Sequence, residues 1–295
     1  MTGTTITRPV EAPADTRLIK HILFPTDFSE AAENAFEYAL HMAEALGARI
    51  TLLHAYYETP VIRGMLPESF VEALRQEKVE EALEHFQKYK AAVQMRNNNI
   101  VPVNEILCKG LAADEIEKYV SRNKVDLVIM GTMGAASQSE KILGSVTTRV
   151  INAVSCPVLA VPVDVRYQPI NHLVFATNFE AEDFELIDKL MLFKESFDAK
   201  LSCLHVQDKK DQWTKLNLAF FEKIYAQEME PRGLNLYTTQ SQDIVAGVQS
   251  FIHAHKVDML VMLAHQRDSL NELFRESLTR HMTLHTAVPL LAFHF

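Results

Sequence analysis

Gly131-Thr132-Met133-Gly134-Ala135-Ala136-Ser137-Gln138-Ser139-Glu140-Lys141-Ile142-Leu143-Gly144-Ser145-Val146-Thr147-Thr148-Arg149-Val150 stands between two unlike patterns. Before it, Val125 to Met130 is a short continuous apolar run of the kind that forms a buried strand, and from Ser145 onward the residues follow amphipathic helical spacing. The glycines therefore fall where a strand end meets a helix N-terminus. Glycine there lets backbone N–H groups approach an anion without a Cβ in the way, and the opening helix adds unpaired donors and the positive end of its dipole. Ser145 adds a hydroxyl donor. Three glycines near a helix can also simply make turns, so the weight rests on their spacing.

Outward from that stretch the chain repeats itself. His21-Ile-Leu-Phe-Pro-Thr-Asp27-Phe28 aligns with His172-Leu-Val-Phe-Ala-Thr-Asn178-Phe179, and Ala48 to His54 aligns with Ala199 to His205, both at an offset of 151. Lys124-Val-Asp126-Leu-Val-Ile-Met130 aligns with Lys256-Val-Asp258-Met-Leu-Val-Met262, and Cys156-Pro157-Val-Leu-Ala160 with Val288-Pro289-Leu-Leu-Ala292, at an offset of 132. The second copy is thus 19 residues shorter in its middle.

Each copy alternates strands and helices. In the first, Leu18 to Phe24 reads as a strand, Ser29 as an N-cap, and Ala31, Ala35, Ala39 and Ala43 as one helical face ended by Gly47. A strand at about Arg49 to Ala55 follows. A long helix from about Pro67 to Arg96 then carries Phe70, Leu74, Leu83 and Phe86 on its expected inward stripe. Val101 to Cys108, Val125 to Met130 and Pro157 to Val161 read as strands, with helices at Ala112 to Arg122 and Ser145 to Val154. Strands separated by helices imply right-handed crossovers and a mainly parallel sheet covered on both faces. The winding then reverses between strands one and four, and ligands sit in that crevice. Pro25-Thr26-Asp27 and the glycine stretch converge there. Asp27 can cap the following helix, or accept hydrogen bonds from a ribose or base, or hold a metal through its waters; nucleoside contact is the favoured reading.

The spacing Gly131-x2-Gly134-x9-Gly144-Ser145 resembles the nucleotide-binding signature of the universal stress protein family. The strand-one segment Phe24-Pro25-Thr26-Asp27-Phe28-Ser29, the lead-in Asp126 to Gly131, and the entry Cys156-Pro157-Val158 are similar to family segments too. No Gly-Lys-[Ser/Thr] of a Walker loop occurs. The resemblance implies two tandem Rossmann-like, adenine nucleotide alpha hydrolase-like α/β domains, each a five-stranded mainly parallel sheet with helices on both faces. These would span residues 18–165 and 170–295, after a flexible lead of residues 1–17. It implies a stress-response regulator holding ATP or AMP, with Mg2+ as an optional companion. Adenosine would lie near Pro25, Thr26, Asp27 and the Met130-Gly131 backbone, and phosphates on Gly134, Gly144, Ser145, Val146 and Thr147. The family's last strands pair in dimers, so Pro157 to Val161 and Pro289 to Phe293 are expected to join the halves into an intramolecular pseudo-dimer, with a homodimer of whole chains as an open addition.

The second half departs from the signature. Gly131, Gly134 and Gly144 become Leu263, Gln266 and Glu276, and Asp27 becomes Asn178, with only Ser277 in register. One nucleotide per chain, in the first domain, is the expectation. The alternative is a nucleotide-independent scaffold whose divergent second cleft binds another ligand, a metal or a protein. No Gly-x-Ser-x-Gly and no His-Glu-x-x-His occurs, so binding without efficient turnover is expected rather than an enzyme, slow ATP hydrolysis being the exception left open.

The composition fits a soluble globular protein, 48% apolar and 23% charged over 295 residues. A net charge of −9 argues against nucleic-acid or anionic-membrane binding. Cys108, Cys156 and Cys203 form no paired framework, which suits a reducing compartment; with no apolar run long enough to span a bilayer, a cytoplasmic location and packed thiols are expected. His281 with His285, helped by His253 with His255, is a weaker zinc reading; Lys141 could fold over phosphates and Arg149 lies one turn beyond Ser145, but neither is read as a firm ligand, facing solvent being the usual fate of a lone base. His54 and His205 recur at strand ends, for the cleft or for a structural hydrogen bond.

Overall fold

The computed structural model describes residues 18–57, 67–97, 101–132, 145–207, 219, 222–223, 233–264 and 286–294. In chain order its elements are β1 His21–Pro25, α1 Glu30–Leu46, β2 Arg49–Tyr56, α2 Glu68–Asn97, β3 Val103–Lys109, α3 Ala112–Arg122, β4 Leu127–Thr132, α4 Ser145–Ala153 and β5 Val158–Pro162. Then follow β6 His172–Ala176, α5 Ala181–Glu195, β7 Lys200–Gln207, β8 Leu234–Gln240, α6 Ile244–His255, β9 Met259–Ala264 and β10 Leu290–His294. All ten strands belong to one sheet, ordered β3-β2-β1-β4-β5-β10-β9-β6-β7-β8. Each half is parallel throughout, and the order leaves β1 in opposite directions toward β2 and β4, the reversal the sequence pattern implies.

The helices divide by face. α1, α2 and α5 bury Phe36, Phe86 and Leu190 on one side of the sheet, while α3, α4 and α6 bury Ile116, Val150 and Phe251 on the other. α1 begins at Ser29, whose hydroxyl accepts from Ala32 N, and ends at Gly47 in the left-handed conformation, φ 63°. Ala31, Ala35, Ala39 and Ala43 are all buried, so small side chains set how closely α1 lies on the strands.

The inward face of α2 differs from the expected stripe. Phe86 is buried, but Phe70 and Leu83 are 53% and 43% exposed and Leu74 is half-buried. The buried row is Val71, Ala82, Phe86, Tyr89 and Val93. Spacings of four, three and four from Ala82 keep one side of a 3.6-residue helix, and Phe70 and Leu83 sit one residue, about 100°, away from it.

Two carboxylates tie the sheet at the end remote from the glycines. Asp126 Oδ2 accepts the N–H groups of Lys20 and His21 at 2.9 and 3.0 Å, and Asp258 Oδ2 those of Asn171 and His172 at 2.8 and 3.0 Å. That is why β4 starts at Leu127 rather than Val125: the aspartate turns aside to clamp β1. Next to each clamp an imidazole bridges strands, His21 Nε2 to Thr51 Oγ1 and His172 Nε2 to Ser202 Oγ, both at 2.8 Å. Desolvation by burial holds His21, His172 and, on β10, His294 below the ordinary histidine value of 6.5. These groups stay neutral in the fold while their unfolded counterparts protonate, so the unfolded state binds more protons and stability falls as pH drops through 6.5 toward the lowered values. Urea midpoints should therefore fall between pH 7.5 and 6, where carboxylates stay ionised; midpoints that rise on acidification in that window overturn the assignment.

The halves meet at β5 and β10, which pair antiparallel with Leu290 opposite Ala160, Leu291 opposite Leu159 and Ala292 opposite Val158. The core on each face runs across this seam without a break, since Leu159, Leu291 and Leu173 share one cluster and Val158, Ala292 and Leu260 the other. His294 Nδ1 reaches the Cys156 carbonyl at 3.1 Å, a further tie across the join. The connector between halves is strapped to α1: Asn34 Nδ2 donates to the carbonyls of Pro162 and Val165, Tyr38 donates to that of Arg166, and the Tyr167 ring stacks on His41 at 3.5 Å.

Candidate functional site

Β1 ends at Pro25, and the chain turns sharply before α1. Thr26 is buried and fixed on three sides: its N–H donates to Leu53 O at 2.9 Å, its hydroxyl accepts from Phe28 N at 3.0 Å, and the same hydroxyl shares a hydrogen bond with Tyr89 Oη at 3.1 Å. Its carbonyl takes the Nδ1–H of His54 at 2.8 Å, the tautomer following from a carbonyl that can only accept. Phe28 lies in the left-handed region at φ 61°, which for a bulky L-residue costs on the order of 1–3 kcal/mol. That turn leaves Asp27 exposed at the sheet's carboxyl end. Asp27 Oδ1 accepts both Ser29 N and Ser29 Oγ, at 3.1 and 2.6 Å, and among the described residues its Oδ2 has no bonded partner.

β4 leaves the sheet beside this turn. A Cβ on Gly131 would lie 2.5 Å from Ala31 O and 2.7 Å from Ala31 C, inside the first turn of α1. Glycine is required there for close approach between strand and helix. From the other side Thr147, buried in the first turn of α4, donates its hydroxyl to Gly131 O at 3.2 Å. Gly131 thus holds two helix N-termini, those of α1 and α4, against one strand exit at the β1/β4 reversal. Among the described residues, the first amides of α4, from Ser145, Val146 and Thr147, have no acceptor within their own helix.

The sequence comparisons join this geometry to known proteins. Residues 18–162 match the profile of the Universal stress protein family. The chain is 31% identical to the universal stress protein MJ0531 of Methanocaldococcus jannaschii over 144 residues, 49% of this chain and 82% of that protein. It belongs to the universal stress protein family. Over 93% of its length it is 23% identical to universal stress protein Slr1230 of Synechocystis, covering all of that protein. A universal stress protein of Archaeoglobus fulgidus has the same fold, with a TM-score of 0.71, 18% identity and coverage of 93% of this chain and 98% of that one.

Within this universal stress protein, β1 and β4 are paired neighbours and Thr147 reaches Gly131, so Pro25, Thr26, Asp27, Met130, Gly131, Val146 and Thr147 fall at the carboxyl end of these two strands. Gly134 and Gly144 lie outside the described residues, as do Lys141, residues 1–17, and Gln266, Glu276, Ser277, His281 and His285 of the second half. The side chains of Thr26, Met130 and Thr147 are buried, and both backbone groups of Thr26 are already bonded, its N–H to Leu53 O and its carbonyl to His54. Val146 is 41% exposed. Arg149 pairs with Asp114 of α3, away from the crevice.

The remaining candidates are structural. His54 and His205 make the same bond, each to the carbonyl of the threonine two residues before the left-handed phenylalanine. His255 stacks on Phe251 at 4.0 Å while His253 is solvent-facing, and no cluster of three metal-ligating side chains exists among the described residues. Burial pushes the Cys156 thiol up to about 12 and raises Cys203 further, so neither is a thiolate at neutral pH. No described helix is long and apolar enough to cross a membrane.

The second half copies the turn but fills it differently. Phe179 repeats the left-handed conformation at φ 62°, and Phe179 N again donates to a threonine hydroxyl, Thr177, at 2.9 Å. Here Thr177 donates onward to buried Asp183, whose same oxygen accepts from Glu180 N at 3.0 Å. Glu180, Glu182 and Asp183 crowd the start of α5, where the first half has Ser29, Ala31 and Ala32. Phe28, His85 and Tyr89 pack beside the Thr26–Asp27 turn, and motif reading passes over them. The repeat of Phe28 as Phe179 was a visible signal; the contribution of α2 was not, because it depends on tertiary packing alone.

Proposed function

We propose that this chain is a nucleotide-responsive stress protein that holds one adenine nucleotide, ATP or AMP, in the crevice of its first half, without efficient turnover. The observation that carries the reading is Gly131, which has no room for a Cβ on its α1 side and receives the Thr147 hydroxyl on its carbonyl. That combination sets the α4 N-terminus at the carboxyl end of β4, where backbone amides and the helix dipole favour a phosphate. Asp27, exposed across the crevice with one oxygen unbonded among the described residues, suits the hydroxyls of a ribose. Adenine follows from the family resemblance of the motif. A Mg2+ ion bound with the phosphates would offset the negative charge contributed by Asp27, Glu30 and Glu33.

Confinement to the first half is supported by the second half's replacements, Leu263 for Gly131 and Asn178 for Asp27. Calorimetric titration of the full chain with ATP tests both points. Asp27→Ala should weaken ATP about ten-fold, the loss of one charge-assisted pair of hydrogen bonds, and Asn178→Ala should leave affinity unchanged. Saturation at two nucleotides per chain, or equal affinity in wild type and Asp27→Ala, counts against the assignment.

A further inference from the structure

The ring of Phe28 is held between two imidazoles. His54 lies on one side with ring centroids 4.5 Å apart and planes at 29°, and His85 of α2 lies at 4.5 Å and 13°. Phe86 meets the same ring edge-on at 5.5 Å. His54 is pinned by its bond to Thr26 O, whereas among the described residues no hydrogen bond or ion pair engages His85. One helical turn along α2, Tyr89 bonds the Thr26 hydroxyl, so α2 grips the turn at two points.

The second half shows what this grip replaces. Phe179 has the same backbone conformation and a histidine beside it, His205 at 4.8 Å and 41°, but its turn is braced by the carboxylate of Asp183, bonded to Thr177 and Glu180. The first half has Ala32 in place of that aspartate. Its Phe28 is half-buried where Phe179 is fully buried. In the first half the Thr26 hydroxyl meets Tyr89 Oη and the Ser29 N–H meets Asp27 Oδ1, in place of the two bonds to Asp183, and the Phe28 ring gains a second stacked imidazole, His85, that Phe179 lacks among the described residues. We propose that His85 is a positioning residue for the nucleoside end of the crevice, acting through the Phe28 ring to hold the left-handed turn that presents Asp27. The proposal rests on the nucleotide reading given above.

The consequence is a loss confined to one part of the ligand. The α4 N-terminus is anchored through Thr147 and Gly131 and does not depend on the Phe28 ring, so phosphate binding should be indifferent to His85. The test is calorimetry on the full chain with ATP, adenosine and magnesium tripolyphosphate, for wild type, His85→Ala, His85→Gln and His85→Phe. His85→Ala and His85→Gln should weaken ATP and adenosine by the same factor, about five-fold for a lost stacked ring, leaving tripolyphosphate unchanged, and His85→Phe should restore wild-type affinity. Unchanged adenosine affinity in His85→Gln, or an equal loss for all three ligands, overturns the positioning role while leaving the nucleotide site standing. Wild-type protein that binds neither ATP nor adenosine overturns the nucleotide reading and this inference together.

Discussion

Gly131→Ala is expected to destabilise the protein by about 3 kcal/mol, the upper end of the range for overpacking a tight contact, and to weaken ATP binding more than ten-fold. A methyl group there would sit 2.5 Å from a carbonyl oxygen of α1 and 2.7 Å from its carbon. Neither is a side chain that can rotate away. α1 cannot retreat alone, because Ala35, Ala39 and Ala43 seat it on the sheet and Asn34 and Tyr38 fasten its outer side to the connector. The strain must pass either into β4 or into the Asp27 turn, and both border the crevice. Gly247→Ala in α6 is the natural comparison: its Cβ would meet Val206 Cγ1 at 2.7 Å, a side-chain atom, and alanine regains helix propensity of about 1 kcal/mol. Its net cost should be smaller than that of Gly131→Ala, and it should leave ATP affinity alone. Equal losses at the two glycines by urea denaturation, or a Gly131→Ala variant with wild-type affinity, would show that the contact at Ala31 is soft.

Much of this architecture could be read from the chain because its signals are local or repeated. Ser29 and Gly47 cap α1 by short-range hydrogen bonding, and alternating strands and helices around buried runs specify a doubly wound sheet. The offsets between copies relate residues that do the same physical work: Asp126 and Asp258 clamp the first strand of each half, His21 and His172 bridge to the second, and Phe28 and Phe179 adopt one strained turn. Motif reading explained Gly131 by open approach for a ligand, whereas the structure adds a steric reason, the backbone of α1. The inward face of α2 was misread since large apolar residues such as Phe70 and Leu83 do not reveal which side a highly charged 30-residue helix turns to the sheet. His85 and Tyr89 carried no signal for the same reason, as their relation to Thr26 and Phe28 exists only once α2 is packed. Asp183 could have been found by aligning it with Ala32, the position where a buried carboxylate replaces a methyl group.

The seam should respond to substitution as the centre of one cooperative structure. Leu159 and Leu291 are paired in register across β5 and β10, both essentially without solvent exposure, and belong to a cluster containing Phe24 from one half and Phe175 from the other. Leu291→Ala should cost about 3 kcal/mol, the transfer of a buried side chain plus the cavity it leaves. Leu159→Ala should cost a similar amount. The double variant should lose less than the sum, by about 1 kcal/mol, because the second truncation enlarges a cavity whose wall the first has already removed. The open edges of β5 and β10 cover each other, so a weakened seam also exposes strand edges able to pair with other chains. Light scattering during urea denaturation should therefore rise earlier in Leu291→Ala than in a variant of equal stability elsewhere, such as Phe193→Ala in α5. Strict additivity of the two leucines, with no earlier scattering, would mean that the halves are stabilised separately and that the antiparallel pairing merely abuts two finished sheets.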